Sequence, residues 1–174
     1  FPFKIFNFHS DRGHENINYQ IANFLQKLLI KQTKSRSYHS NDNALVETKN
    51  GSVIRKNMGW EYITRDSSLV ESINNYYRNY FNIYLNYHRP CGFPTITQDL
   101  KGRKTKVYEI YNVPYEALKQ IPNVHKYLKP EITFKELDKI AYQMSDNDFA
   151  KQLRQQENKL FDTIQTVNKS GVSL

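Results

Sequence analysis

The opening 35 residues constrain the fold more than any other stretch. Residues 1–8, FPFKIFNF, form a nearly continuous apolar run of strand length. It lacks the alternation of a half-exposed strand, so it reads as a strand buried on both faces, as in a parallel sheet. His9-Ser10-Asp11-Arg12-Gly13 follows as a polar turn, with Gly13 free to adopt positive φ. Asn18 is a candidate N-cap, and Ile21, Phe24, Leu25, Leu28 and Leu29 recur at the spacing of one apolar helix face. IKQTKS, residues 30–35, reads as a short second strand. Strand, helix, strand predicts a βαβ unit: residues 3–8 parallel to residues 30–35, with a helix over 19–29 against them.

Further on, His39-Ser40-Asn41-Asp42-Asn43 is a row of good N-caps, placing Glu47 in the first turns of a second helix. Residues 57–66 are a connector with the only tryptophan, Trp60. A long helix is expected from Ser67 or Ser68 to about Tyr87. Leu69, Ile73, Tyr76, Tyr77, Tyr80, Phe81 and Tyr84 give it an aromatic core face. Pro90 and Gly92 end it. TITQDLKGRKTKVYEIY reads as a β-ribbon turning near Lys101-Gly102. Pro114 suits a first helical position, Thr133–Glu136 a capping box, and Ser145–Asp148 a repeat of that device. Phe149, Leu153, Leu160, Phe161 and Ile164 mark the buried side of a last helix, and the polar tail from Asn168 is expected to fray. No internal repeat is present.

Charge narrows the partners. Lys and Arg outnumber Asp and Glu by 25 to 17, which favours a polyanion, most simply nucleic acid. The single cysteine, Cys91, excludes an internal disulfide and a zinc cluster, and fits a reducing compartment. No stretch has the apolar length of a membrane span. Residues 1–8 are too short for a signal peptide. The chain begins with Phe, and a fragment is one expectation.

Two carboxylates stand where chemistry is expected. Asp11 follows the first strand, at the edge where open α/β sheets place their sites. Glu47 opens the helix after the neighbouring strand. Taken alone, Glu47 is as readily an acid favoured by the positive end of a helix dipole, and Asp11 an ordinary turn aspartate. Paired carboxylates at one sheet edge also suit a hard cation such as Mg²⁺. Lys49, Arg55 and Lys56 follow Glu47 as phosphate contacts or as a solvated face. Lys101, Arg103, Lys104 and Lys106 pose the same choice on the ribbon. Glu15 reads as a first-turn acid. His9 and His39 are given no catalytic role, and His88, Arg89 and Cys91 make no convincing triad.

Thirty-five residues separate Asp11 from Glu47. This spacing resembles the second and third members of the D,D-35-E motif of DDE transposases and retroviral-type integrases. HSDRGHENIN resembles the family's Asp-Asn-Gly-Ser-Glu-Phe stretch after the fourth strand of its RNase H-like core. SNDNALVETKNG resembles the segment leading into the catalytic glutamate. YLNYHRPCGFPT resembles the Arg-Pro segment downstream of the core in transposases of bacterial insertion sequences. Arg12 stands where Asn is commoner and Asn16 where Phe is usual. No aspartate precedes Asp11, so the family's first aspartate is not among these residues.

The resemblance implies an α/β chain containing part of an RNase H-like core (its last two strands and their helices), then a helix-rich region with a β-ribbon. It implies the partial core over residues 1–66, a long closing helix over 67–94, the basic ribbon over 95–113, a helical region over 114–167 and a tail over 168–174. Asp11 and Glu47 would be catalytic and metal-binding, with Mg²⁺ or Mn²⁺ as cofactor and two ions in the complete site. The function implied is DNA cleavage and strand transfer. The partners would be transposon ends and target DNA, with a homo-oligomer when full-length, no membrane, and a location in the bacterial cytoplasm at the nucleoid. The chain alone is expected to be inactive. The alternative is a non-catalytic DNA-binding remnant or an inhibitor of the full protein.

Overall fold

The structure is a computed structural model of the 174-residue chain, describing residues 2–43, 47–48, 50–59 and 67–170. It divides into two compact units, Phe3–Tyr62 and Ile63–Leu174.

The first unit is built on the expected strand–helix–strand order. Strand β1 is Asn7–Ser10, helix α1 is Tyr19–Lys27 and strand β2 is Lys31–Lys34. The two strands are parallel, with Asn7 paired to Lys31 and Ser10 to Lys34. Asn18 caps α1 as predicted, its Oδ1 accepting from the Ile21 N–H at 2.9 Å. The expected double burial of the first strand is not found. Residues 7–10 are mostly exposed except Ser10, and Ile5 and Phe6 lie open as well. Two paired strands have only each other, and one helix covers only part of one face.

Helix α1 also stops short of its predicted end. Leu28 is the C-cap and Leu29 takes a left-handed conformation, φ +56°. The Leu29 N–H bonds to the Gln26 carbonyl and the Ile30 N–H to the Leu25 carbonyl, the paired bonds of a Schellman ending. Leu29 therefore leaves the apolar face and is 91% exposed, while Leu25 is the buried residue of α1. Beyond β2, Ser40–Asn43 form a 3₁₀ turn. Residues 47 and 48 are helical, Asn50–Arg55 form a π-helical turn, and Lys56–Met58 make a short helix, α2. The connector residue Trp60 lies outside the described residues.

The second unit holds the larger core. Helix α3, Ser67–Tyr76, continues through two π-helical turns, Tyr77–Phe81 and Tyr84–His88. The antiparallel ribbon of strands β3, Cys91–Gln98, and β4, Lys104–Asn112, follows. It starts earlier than the sequence predicts, because the extended backbone resumes directly after Pro90. Helix α4 is Pro114–Lys119, with Pro114 in its first turn. A 3₁₀ turn, Val124–Tyr127, leads to helix α5, Phe134–Ala141, whose Thr133–Glu136 capping box is complete. The last helix, α6, is Asp146–Ser170. It carries helical geometry beyond Asn168, where fraying is predicted.

Helix α6 packs against α3 and both π turns. Phe149, Leu153, Leu160 and Ile164 are buried as the spacing predicts. They meet a core that includes Leu69, Tyr76 and Phe81 from the long helix and Tyr115 and Leu137 from the smaller ones. His88 is fully buried and takes no part in a triad with the exposed Cys91. Its ring stacks on Phe149 at 4.2 Å, and its Nδ1 meets the Asp146 carboxylate at 2.9 Å. A carboxylate accepts only, so Nδ1 carries the proton there. This histidine joins the long helix to the first turn of α6.

Candidate functional site

Parallel pairing fixes which end of the sheet matters. Both strands of the first unit run the same way, so their carboxyl ends share one edge. Asp11 is the first residue past β1 at that edge. Its Oδ1 accepts from the Gly13 N–H at 3.0 Å and from Asn16 Nδ2 at 3.2 Å. Those two hydrogen bonds, the backbone one foremost, hold its carboxyl below the usual aspartate range. Among the described residues no hydrogen bond reaches Oδ2. The carboxylate is thus held by one oxygen while the other can take a ligand. Asn16, where the resembled family has Phe, is part of this arrangement. Gly13 is not in a positive-φ conformation. Its missing side chain instead makes room for the Glu15 carboxylate, which fills the space a Cβ would need.

The same edge is tied together by Ser35, directly after β2. Ser35 is buried, and its N–H donates to the Ser10 carbonyl at 3.0 Å. Its hydroxyl lies within hydrogen-bond reach of the Ser10 carbonyl, His9 Nε2 and Asn43 Oδ1. Its own carbonyl accepts from Arg12 Nε at 3.1 Å. Arg12 is therefore not a mere surface substitution. It clamps the turn that carries Asp11 to the start of the segment that leads toward Glu47.

That segment has a second clamp. Asp42 reads from sequence as an N-cap candidate, but its carboxylate is claimed by Arg36. Arg36 donates through Nη2 to Oδ1 at 2.8 Å, and through Nε and its backbone N–H to Oδ2 at 3.1 and 2.9 Å. The guanidinium bonds, followed by the backbone one, hold the Asp42 carboxyl far below the usual range. A bidentate pair six residues apart closes the loop as a ring. Neither Ser35 nor this pair is prominent in the sequence. The available signals were the position of Ser35, one past its strand as Asp11 is one past its own, and the opposite charges flanking a polar stretch.

Glu47 is helical and exposed, with Thr48 beside it. Residues 44–46 and Lys49 lie outside the described residues. Arg55 and Lys56 are exposed on the π turn and on α2. Lys101, Arg103, Lys104 and Lys106 are exposed at the ribbon tip and along β4. Asp99 shapes that tip, its Oδ1 accepting from the N–H groups of Lys101 and Arg103, while Gly102 takes φ +79°. An open depression at the tip is lined by Gln98, Asp99, Leu100, Lys101 and Arg103.

Asp11 and Glu47 offer hard oxygen donors, the chemistry Mg²⁺ and Mn²⁺ require. Among the described residues, no group of three or more His, Cys, Asp and Glu side chains is placed to hold an ion. No described helix is long and apolar enough to cross a membrane. Comparison with protein-family models, with curated proteins and with solved structures gives no match.

Proposed function

We propose that this chain carries the last two strands of an RNase H-like core of the DDE class and acts in DNA transposition or integration. The reaction is metal-dependent phosphoryl transfer, first strand cleavage and then strand transfer. The observation that carries this reading is the position of Asp11 at the carboxyl edge of a parallel strand pair, with the segment that leads to Glu47 leaving the same edge at Ser35.

Asp11 is oriented in advance by Gly13 and Asn16, so its Oδ2 meets a ligand without first rearranging. Glu47 supplies a second carboxylate on the helical segment. When bound, Mg²⁺ or Mn²⁺ would activate the attacking hydroxyl and stabilise the leaving oxygen. Arg55 and Lys56 would contact phosphate beside this site, and the ribbon cations would do so farther along the DNA.

The test is a plasmid nicking and strand-transfer assay in Mg²⁺ and in Mn²⁺. The 174 residues supply two of the class's three carboxylates, so alone they are expected not to cut or join DNA. A protein completed with the sheet strands and first aspartate of the class should nick, and Glu47→Gln or Asp11→Asn in it should abolish nicking. Activity that survives both substitutions would sink the assignment. DNA binding without chemistry in the completed protein would favour the non-catalytic DNA-binding reading.

A further inference from the structure

One face of the β3–β4 ribbon sets two aromatic rings in line with a row of cations. Alternation along β3 places Gly92, Pro94, Ile96 and Gln98 on that face. Across the ladder, Tyr111 pairs with Gly92, Lys106 with Ile96 and Lys104 with Gln98. The irregularity between Phe93 and Thr95 adds one residue to β4. It brings Tyr108 to the same face, since a Cβ built on Gly92 would lie 3.3 Å from Tyr108 Cδ1 and 3.6 Å from Tyr111 Cε1. The two rings are neighbours over a residue that has no side chain to separate them.

These groups are not part of the core. Tyr108 is 53% exposed, Tyr111 69% and Ile96 67%. Lys106 and Lys104 continue from the rings toward the tip, where Arg103 and Lys101 extend the row. At the tip, the Asp99 carboxylate is already engaged by backbone N–H groups. Rings at one end and cations along the rest match a chain that alternates flat apolar bases with phosphates.

We infer that this face binds unpaired DNA, with bases stacking on Tyr108 and Tyr111 and phosphates following Lys106, Lys104 and Arg103. The inference rests on the function proposed above for its choice of DNA as the partner. In a duplex the base faces are already stacked, so a duplex would engage the cations and leave the rings idle. A single strand uses both, and stacking on an aromatic side chain is tolerant of sequence.

Fluorescence anisotropy on the 174-residue chain tests this, with a labelled dT oligonucleotide and a duplex of equal length. The single strand should bind more tightly at the same salt. Joint replacement Tyr108→Ala and Tyr111→Ala should weaken single-strand binding by about tenfold or more and leave duplex binding within about twofold. Tyr108→Phe with Tyr111→Phe should retain binding, because rings and not hydroxyls carry it. Replacing Lys101, Arg103, Lys104 and Lys106 by Ala should flatten the salt dependence by up to about 0.7 in log–log slope for each phosphate that a cation no longer neutralises. On the unaltered chain, a 5-iodouracil oligonucleotide should photo-crosslink to Tyr108 or Tyr111. Duplex binding with no dependence on the tyrosines, or crosslinks elsewhere, would overturn this inference and leave the proposed function standing. Failure to bind DNA of either form would overturn both.

Discussion

Arg12 donates through Nε to the Ser35 carbonyl at 3.1 Å, bridging the carboxyl ends of two parallel strands. The bond joins the turn after β1 to the turn after β2. It gives the edge that holds Asp11 a cross-strand tie beyond the strand ladder. Ser35→Ala removes a buried hydroxyl and leaves its acceptors short of a donor. It should reduce the protection of the β2 amides against hydrogen exchange by about 1–2 kcal/mol. Arg12→Ala, at an exposed side chain, should cost under about 1 kcal/mol. Exchange rates unchanged in both variants would show that this edge is held by the ladder alone.

The Arg36–Asp42 ring predicts a pH dependence with a definite sign. The Asp42 carboxyl is held below its unfolded value by the Arg36 bonds. Its contribution is therefore fully present above an unfolded aspartate's value of about 3.9 and fades as pH falls toward the folded one. Carbon-detected NMR titration should show Asp42 still ionised at pH 3. Arg36→Ala should bring its titration back toward the ordinary range. An Asp42 titration that Arg36→Ala does not move would show that the pair is not formed in solution.

Leu29 offers a stabilising substitution. A leucine in left-handed conformation carries a Cβ–carbonyl clash that glycine avoids. Its side chain is 91% exposed, so removing it sacrifices little packing. Leu29→Gly should stabilise the first unit by about 1 kcal/mol, once the greater freedom of glycine in the unfolded chain is set against the relieved clash. Urea unfolding followed by the amide signals of α1 measures this. A loss of stability would mean that Leu29 is covered in solution.

Features set by short-range rules were legible in the sequence. The parallel pair follows from strand, helix and strand in order, and Asn18, Pro114 and Thr133 cap or start their helices where predicted. What was missed depends on partners far apart or on fine helical geometry. His88 finds Asp146 and Phe149 only through the packing of two distant helices. The burial expected of the first strand depends on what covers it, which its own residues do not specify. Leu29 keeps helical spacing in sequence, yet the helix ends before it. At the candidate site, the position of Asp11 was legible, but its support by Asn16, Arg12 and Ser35 was not, because each acts across a turn or a strand.

The two π turns in the long helix have a consequence for how this protein tolerates change. In each, a backbone N–H bonds five residues back, Asn82 to Tyr77 and Arg89 to Tyr84, so each turn is wider than an α turn. They act as phase adapters between a helix that begins in register with α6 and a C-terminal end that must present Tyr87 to Tyr115 and His88 to Phe149. Deleting one residue inside either turn would restore the α ladder locally, yet rotate everything beyond it by about 100°. His88 would swing away from Asp146, and the ribbon that follows would leave the helix in a new direction. In this helix the number of residues is as fixed as their identity, so a neutral-looking deletion at an exposed position such as Asn82 is a topological lesion.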